Sequence, residues 1–120
     1  MLQVCANLAV AFVALSHVAF FVLETFLWTK PVGRRVFGLS REHMEATASL
    51  AANQGVYNGF LAAGLIWGLV ADASGLEIKL FFLSCVIVAG VVGAVTAKGS
   101  ILFVQAVPAA IALLLVILAR

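Results

Sequence analysis

Four long apolar runs, separated by short polar breaks, constrain this chain more than any other feature it has. About 20 consecutive apolar residues, wound as an α-helix, cover the roughly 30 Å hydrocarbon core of a bilayer. The runs are placed at about 3–28, at 41–71 with a surface-exposed start, at 77–97 and at 101–119. The chain of 120 residues is 65% hydrophobic and 10% charged, against about 45–50% and 25% in soluble domains. A soluble domain of this length has too little interior to hide so much apolar surface. The fold class that follows is all-α: a single domain, 1–120, forming an integral membrane four-helix antiparallel bundle. Connections this short join antiparallel neighbours.

The ends of the runs support this reading. A cleaved signal peptide is the competing explanation of the first run. It would carry a positive start, a shorter apolar centre and a small-residue cleavage site. This run is too long for that and ends at Trp28-Thr29-Lys30, an interface anchor pair, so it is read as a retained helix. Pro31, Gly33 and Gly38 mark residues 29–40 as a polar turn. Ser40 is an N-cap with Glu42 in the first turn after it. Asp72-Ala73-Ser74-Gly75 and Ala97-Lys98-Gly99-Ser100 are the other turns. Pro108 falls inside the fourth run and deprives the Val104 carbonyl of its usual partner. Lys30, Arg34, Arg35, Arg41 and Lys98 lie on one side of the bundle, and only Lys79 and Arg120 on the other. The excess of positive charge predicts that the first and third turns are cytoplasmic and both termini outside.

Against this apolar background the polar residues stand out. His17 and Glu24 lie in the first run, seven apart, on one face but about 10 Å from each other along the axis. An ionisable group inside a span is costly and marks function by default. The second run offers Asn53, Gln54, Tyr57 and Asn58; Gln54, Tyr57 and Asn58 share a side, with Asn53 at its edge. Counted from Leu50, they lie roughly 5–12 Å inside the membrane. Glu24 and Gln105 fall at comparable depth, while the opposite half holds little beyond Asn7 and Ser84. The expected site is a polar pocket in the cytoplasmic half of the bundle, lined by His17, Glu24, Asn53, Gln54, Tyr57 and Asn58. Each residue also has a plainer reading. Amides join helices, a tyrosine packs with its hydroxyl satisfied, a core histidine bonds a carbonyl, and Glu24 reaches outward to Lys30 or Arg34.

Other classes are disfavoured. A metal site would need His43 or Glu45 to fold in toward the single intramembrane histidine and acid, so no metal is expected. Cys5 and Cys85 stand alone in apolar runs and read as small hydrophobes. Seven lysines and arginines without a basic cluster argue against nucleic acid as a partner. Close helix contacts are expected at Gly55-x-x-x-Gly59, Gly64-x-x-x-Gly68 and Ala89-x-x-x-Gly93.

The run Ala51-Ala52-Asn53-Gln54-Gly55-Val56-Tyr57-Asn58-Gly59-Phe60-Leu61-Ala62-Ala63-Gly64-Leu65 resembles the signature of a family of small bacterial integral membrane proteins known only as a domain of unknown function. Glu24-Thr25-Phe26-Leu27-Trp28-Thr29-Lys30-Pro31, the Gly33-Arg34-Arg35-Val36-Phe37-Gly38 turn and His17 are similar to its pattern too. The resemblance covers essentially the whole chain and is densest from His17 to Leu65. It implies four spans in a bacterial inner membrane and carries no activity with it.

Three functions remain open. The first is binding or transport of a small polar or amphipathic molecule, proton-linked through Glu24. The second is a structural or accessory role in which the polar residues only lock helix packing. The third is an intramembrane enzyme using Glu24 and His17 as acid and base, for which no nucleophile is evident. The expected partners are the lipid bilayer, a small-molecule or lipid ligand, and a second copy of the chain. The sequence names no cofactor.

Overall fold

The computed structural model describes residues 1–120. It is all-helical, with no strand. Helix α1 is Leu2–Thr25, α2 Pro31–Phe37, α3 Arg41–Val70 and α4 Gly75–Thr96; a π-helical stretch, Leu102–Ala106, runs directly into α5, Val107–Leu118.

The break expected at 29–40 is more than a turn. Pro31 starts α2 instead of stopping a helix. At the first helical position proline has no bond to lose, and its fixed φ suits the first turn. Gly38 ends α2 in the left-handed conformation (φ 65°), and its N–H donates to the Arg34 carbonyl at 2.8 Å. Ser40 caps α3 as expected, its Oγ accepting from the His43 N–H at 3.2 Å.

Two helices, Leu2–Thr25 and Gly75–Thr96, are long and apolar enough to cross a membrane. The segment Leu102–Leu118 is apolar but shorter. Helix α3 has the length, at 30 residues, but charge at its start and the amides of Asn53, Gln54 and Asn58 dilute its apolar character.

The chain divides into two compact units, Met1–Leu15 with Leu61–Arg120, and Ser16–Phe60. In the first, Ala6, Val10, Val13 and Ala14 of α1 pack with Leu65, Leu83, Val86, Ala109, Ala112 and Val116. Alanine and valine predominate because the helices approach closely. A Cβ added at Gly90 would lie 2.7 Å from the Ala106 nitrogen, and one at Gly93 would lie 3.1 Å from Ile101 Cγ2. Position 90 therefore meets 106 and 93 meets 101, the pattern of an antiparallel α4–α5 hairpin. Gly64 faces the Phe82 ring, and a Cβ at Gly68 would lie 2.8 Å from Lys79 Cγ. The Ala89-x-x-x-Gly93 pairing is corrected here: Ala89 is exposed and Gly90 makes the close approach. Ahead of Pro108 the helix widens, so that the Val107 N–H donates to the Leu102 carbonyl five residues back. A π turn beside a proline lets the backbone rearrange around the missing donor.

The second unit contains the last ten residues of α1 (16–25), α2 and α3 up to Phe60. Met44, Ala51, Gly55 and Asn58 form the buried stripe of α3. Gly33 of α2 lies against the carbonyls of Leu27 and Trp28. The Trp28 indole packs on Phe37, with ring centroids 4.8 Å apart. Its Nε1–H donates to Thr47 Oγ1 at 3.2 Å. That hydroxyl in turn donates to the His43 carbonyl at 2.8 Å. Trp28 thus touches α2 through its ring and the start of α3 through a hydrogen bond.

Candidate functional site

Glu24 and Asn58 meet. Asn58 Nδ2 donates to Glu24 Oε2 at 2.7 Å, joining the end of α1 to the middle of α3. The approach depends on Gly55, one turn before Asn58. A Cβ at position 55 would lie 3.0 Å from both Glu24 Cβ and the Thr25 nitrogen, and would overlap Thr25 Oγ1. Gly59 faces the Phe21 ring, 3.3 Å from its Cδ2 to the position of an added Cβ. Residues 55 with 25 and 59 with 21 define an antiparallel contact. Small side chains set it, as they do wherever helices pack closely.

Thr25 was not expected at this place. Its hydroxyl is buried and has no hydrogen-bond partner. Together with Glu24 Oε1, which accepts no bond, it leaves hydrogen-bonding capacity at the contact. The signal in the sequence was the Glu24-Thr25 pair at a helix end, opposite a glycine in the next helix.

The other residues are placed differently. His17 is 1% exposed, with its ring edge-on to Phe20 at 5.9 Å between centroids. Asn53, Gln54 and Tyr57 are all exposed. At about 100° per residue, Gln54 sits about 70° off the centre of the buried stripe, Tyr57 about 130° and Asn53 about 170°. Tyr57 has Phe60 as its ring neighbour, at 6.1 Å. The structure therefore brings together Glu24, Asn58 and Thr25, and sets three of the six residues on outward faces of α3. Gln105 lies half-buried within the π stretch, in the other unit. No three of the histidines, cysteines, aspartates and glutamates come together. His43 stands in the exposed first turn of α3, beside an exposed Arg41–Glu45 ion pair of 2.8 Å.

Comparison with known proteins places this geometry in a family. Residues 11–117 match the model of the family described as "Protein of unknown function (DUF1304)". The chain belongs to that family. A DUF1304 match of this extent takes in both units, the Glu24–Asn58 contact and the π stretch. The chain is also similar to the "Uncharacterized protein YpaA" of Lactococcus lactis subsp. lactis (strain IL1403), at 33% identity over 104 residues, which is 85% of this chain and 87% of that protein. No solved structure matches the chain.

Proposed function

We propose that this DUF1304 chain is a multi-pass protein of the bacterial inner membrane that binds or transports a small polar or amphipathic molecule at the Glu24–Asn58 contact. The membrane placement is supported by how little of the apolar surface the protein covers itself. The apolar windows of α1 and α4 are only 28% and 22% buried. The core helix of a soluble protein would be mostly buried, whereas lipid covers such faces without cost. In this reading all four runs cross the bilayer, with both termini outside and the site opening toward the cytoplasm.

The binding reading rests on one observation: a carboxyl on an apolar helix is held by a single amide, with no cation paired to it and an unpartnered threonine hydroxyl adjoining. Such a group is placed to exchange a proton and to accept a donor from a ligand. Gln54, which borders the buried stripe of α3, would supply a further donor to a molecule on its way in or out, while Asn53 and Tyr57 face away from the contact.

A thermal-unfolding screen of purified protein against metabolites and lipids tests this. Glu24→Gln keeps an oxygen to accept the Asn58 amide, so it should fold with a stability change below about 1 kcal/mol. It should also lose the stabilisation that a bound compound gives the wild type. Asn58→Ala leaves Glu24 without its partner and should cost about 1–3 kcal/mol. The accessory reading has a specific observation in its favour, the direct interhelical bond. It would prevail if no compound raised the unfolding temperature while Asn58→Ala still destabilised the fold.

A further inference from the structure

At the other end of α1, in the unit that holds Met1–Leu15 and Leu61–Arg120, a lysine is buried without an anion. Lys79 is 9% exposed. Gly68 makes room for its stem. Its ammonium makes one hydrogen bond, to Asn7 Oδ1, at a long 3.4 Å. The same oxygen accepts from Gln3 Nε2 at 3.1 Å. An ammonium carries three N–H donors, so two remain for another acceptor. The Asn7 amide nitrogen is also uncommitted.

No carboxylate of the chain neutralises this charge. Asp72 and Glu77 are exposed, and Lys79 forms no ion pair. Glu77 is two residues away and so projects about 200° around α4 from Lys79. A charge removed from water needs a counter-charge, or its desolvation is uncompensated. The geometry points to an oxyanion supplied from outside: we propose that Lys79, with Asn7 and Gln3, binds a phosphate group. A phosphate offers several oxygens to donors that converge from two helices, and lysine meets it as a point charge. Gln3 is exposed, so the group is reached from the surface. Lys79 is in the second turn of α4 and Asn7 in the second turn of α1. When those helices span a bilayer, this is close to the level of the headgroups. The phosphate is therefore that of an anionic phospholipid or a free phosphate compound. The lipid source depends on the membrane placement proposed above, and the free-phosphate source does not.

The test uses the full chain, purified in a zwitterionic detergent, with two probes: inorganic phosphate, and phosphatidylglycerol added to the micelles. Saturation by either probe is expected to raise the unfolding temperature by about 5 °C or more. A rise with phosphatidylglycerol alone assigns a headgroup, and a rise with phosphate assigns the free group. Lys79→Arg should keep the response. Lys79→Met and Lys79→Gln should abolish it; the second retains a donor toward Asn7 and so protects the fold. Native mass spectrometry from vesicles of phosphatidylcholine and phosphatidylglycerol should show a retained anionic lipid that Lys79→Gln loses. No response of the wild type to either probe would overturn the site, as would an equal response in Lys79→Gln. Recovery of the chain in the soluble fraction would defeat the membrane placement while leaving the phosphate arm standing.

Discussion

Leucine in place of Gly55 should lower the unfolding free energy by about 1–5 kcal/mol. Three terms set this figure. Removing a helix glycine gains about 0.5–1 kcal/mol of backbone entropy. Overpacking costs about 1–3 kcal/mol, and here an added Cβ already stands 3.0 Å from the Thr25 nitrogen, a backbone atom that cannot rotate away. The third term is the Glu24–Asn58 bond: pushing α3 off α1 stretches a 2.7 Å contact and leaves both groups short of partners, at about 1–3 kcal/mol. Penalties exceed the gain. Urea unfolding followed by circular dichroism measures it, and a change under about 0.5 kcal/mol would mean that this contact does not hold the two helices.

Gly90→Leu should also be damaging, at about 1–2 kcal/mol, for a reason found in the opposite unit. Here an added Cβ meets the Ala106 nitrogen at 2.7 Å, Cβ at 2.9 Å and Cα at 3.1 Å. All belong to the widened turn, so relief requires moving the π stretch itself. No hydrogen bond is lost, which makes the estimate smaller than for Gly55. Gly99→Ala is the control, since nothing lies within 4 Å of its added Cβ, and its change should stay within about 0.5 kcal/mol. Equal stability of Gly90→Leu and the control would sink the α4–α5 packing described above.

Much of the helical plan was legible because glycine, proline and capping residues act locally. Ser40 reads as a cap and is one; the turns read at Asp72–Gly75 and Ala97–Ser100 compare with observed breaks at 71–74 and 97–100, Gly75 being the first residue of α4. Helix α2 is hidden in the sequence because Pro31 and Gly38, taken singly, read as breakers. Proline just inside a start and glycine just past an end are together the mark of a short helix. The π stretch was not legible, since Pro108 signals a disturbed helix and not how the backbone repairs it. For α3, polarity suggested that Gln54, Tyr57 and Asn58 face one neighbour. The helix instead turned on its smallest residues, Ala51 and Gly55, because close backbone approach decides the buried face. Asn58 lies on that stripe and Tyr57 does not. In the sequence Lys79 enters only the charge balance between the two sides, because nothing in its own neighbours reveals that Gly68, eleven residues earlier on another helix, makes space for it.

The widened turn has one more consequence, for the phase of α5. A π turn accommodates an extra residue, which rotates everything after it by about 100° relative to an uninterrupted α-helix. Ala109, Ala112 and Val116 reach the core at that shifted phase. Regular α winding of the same residues would swing all three away from α4, whereas deleting one residue of the segment Leu102–Ala106 together with its π turn would leave them where they are. The winding of this segment, more than the identity of its side chains, fixes which face of the last helix is the inner one.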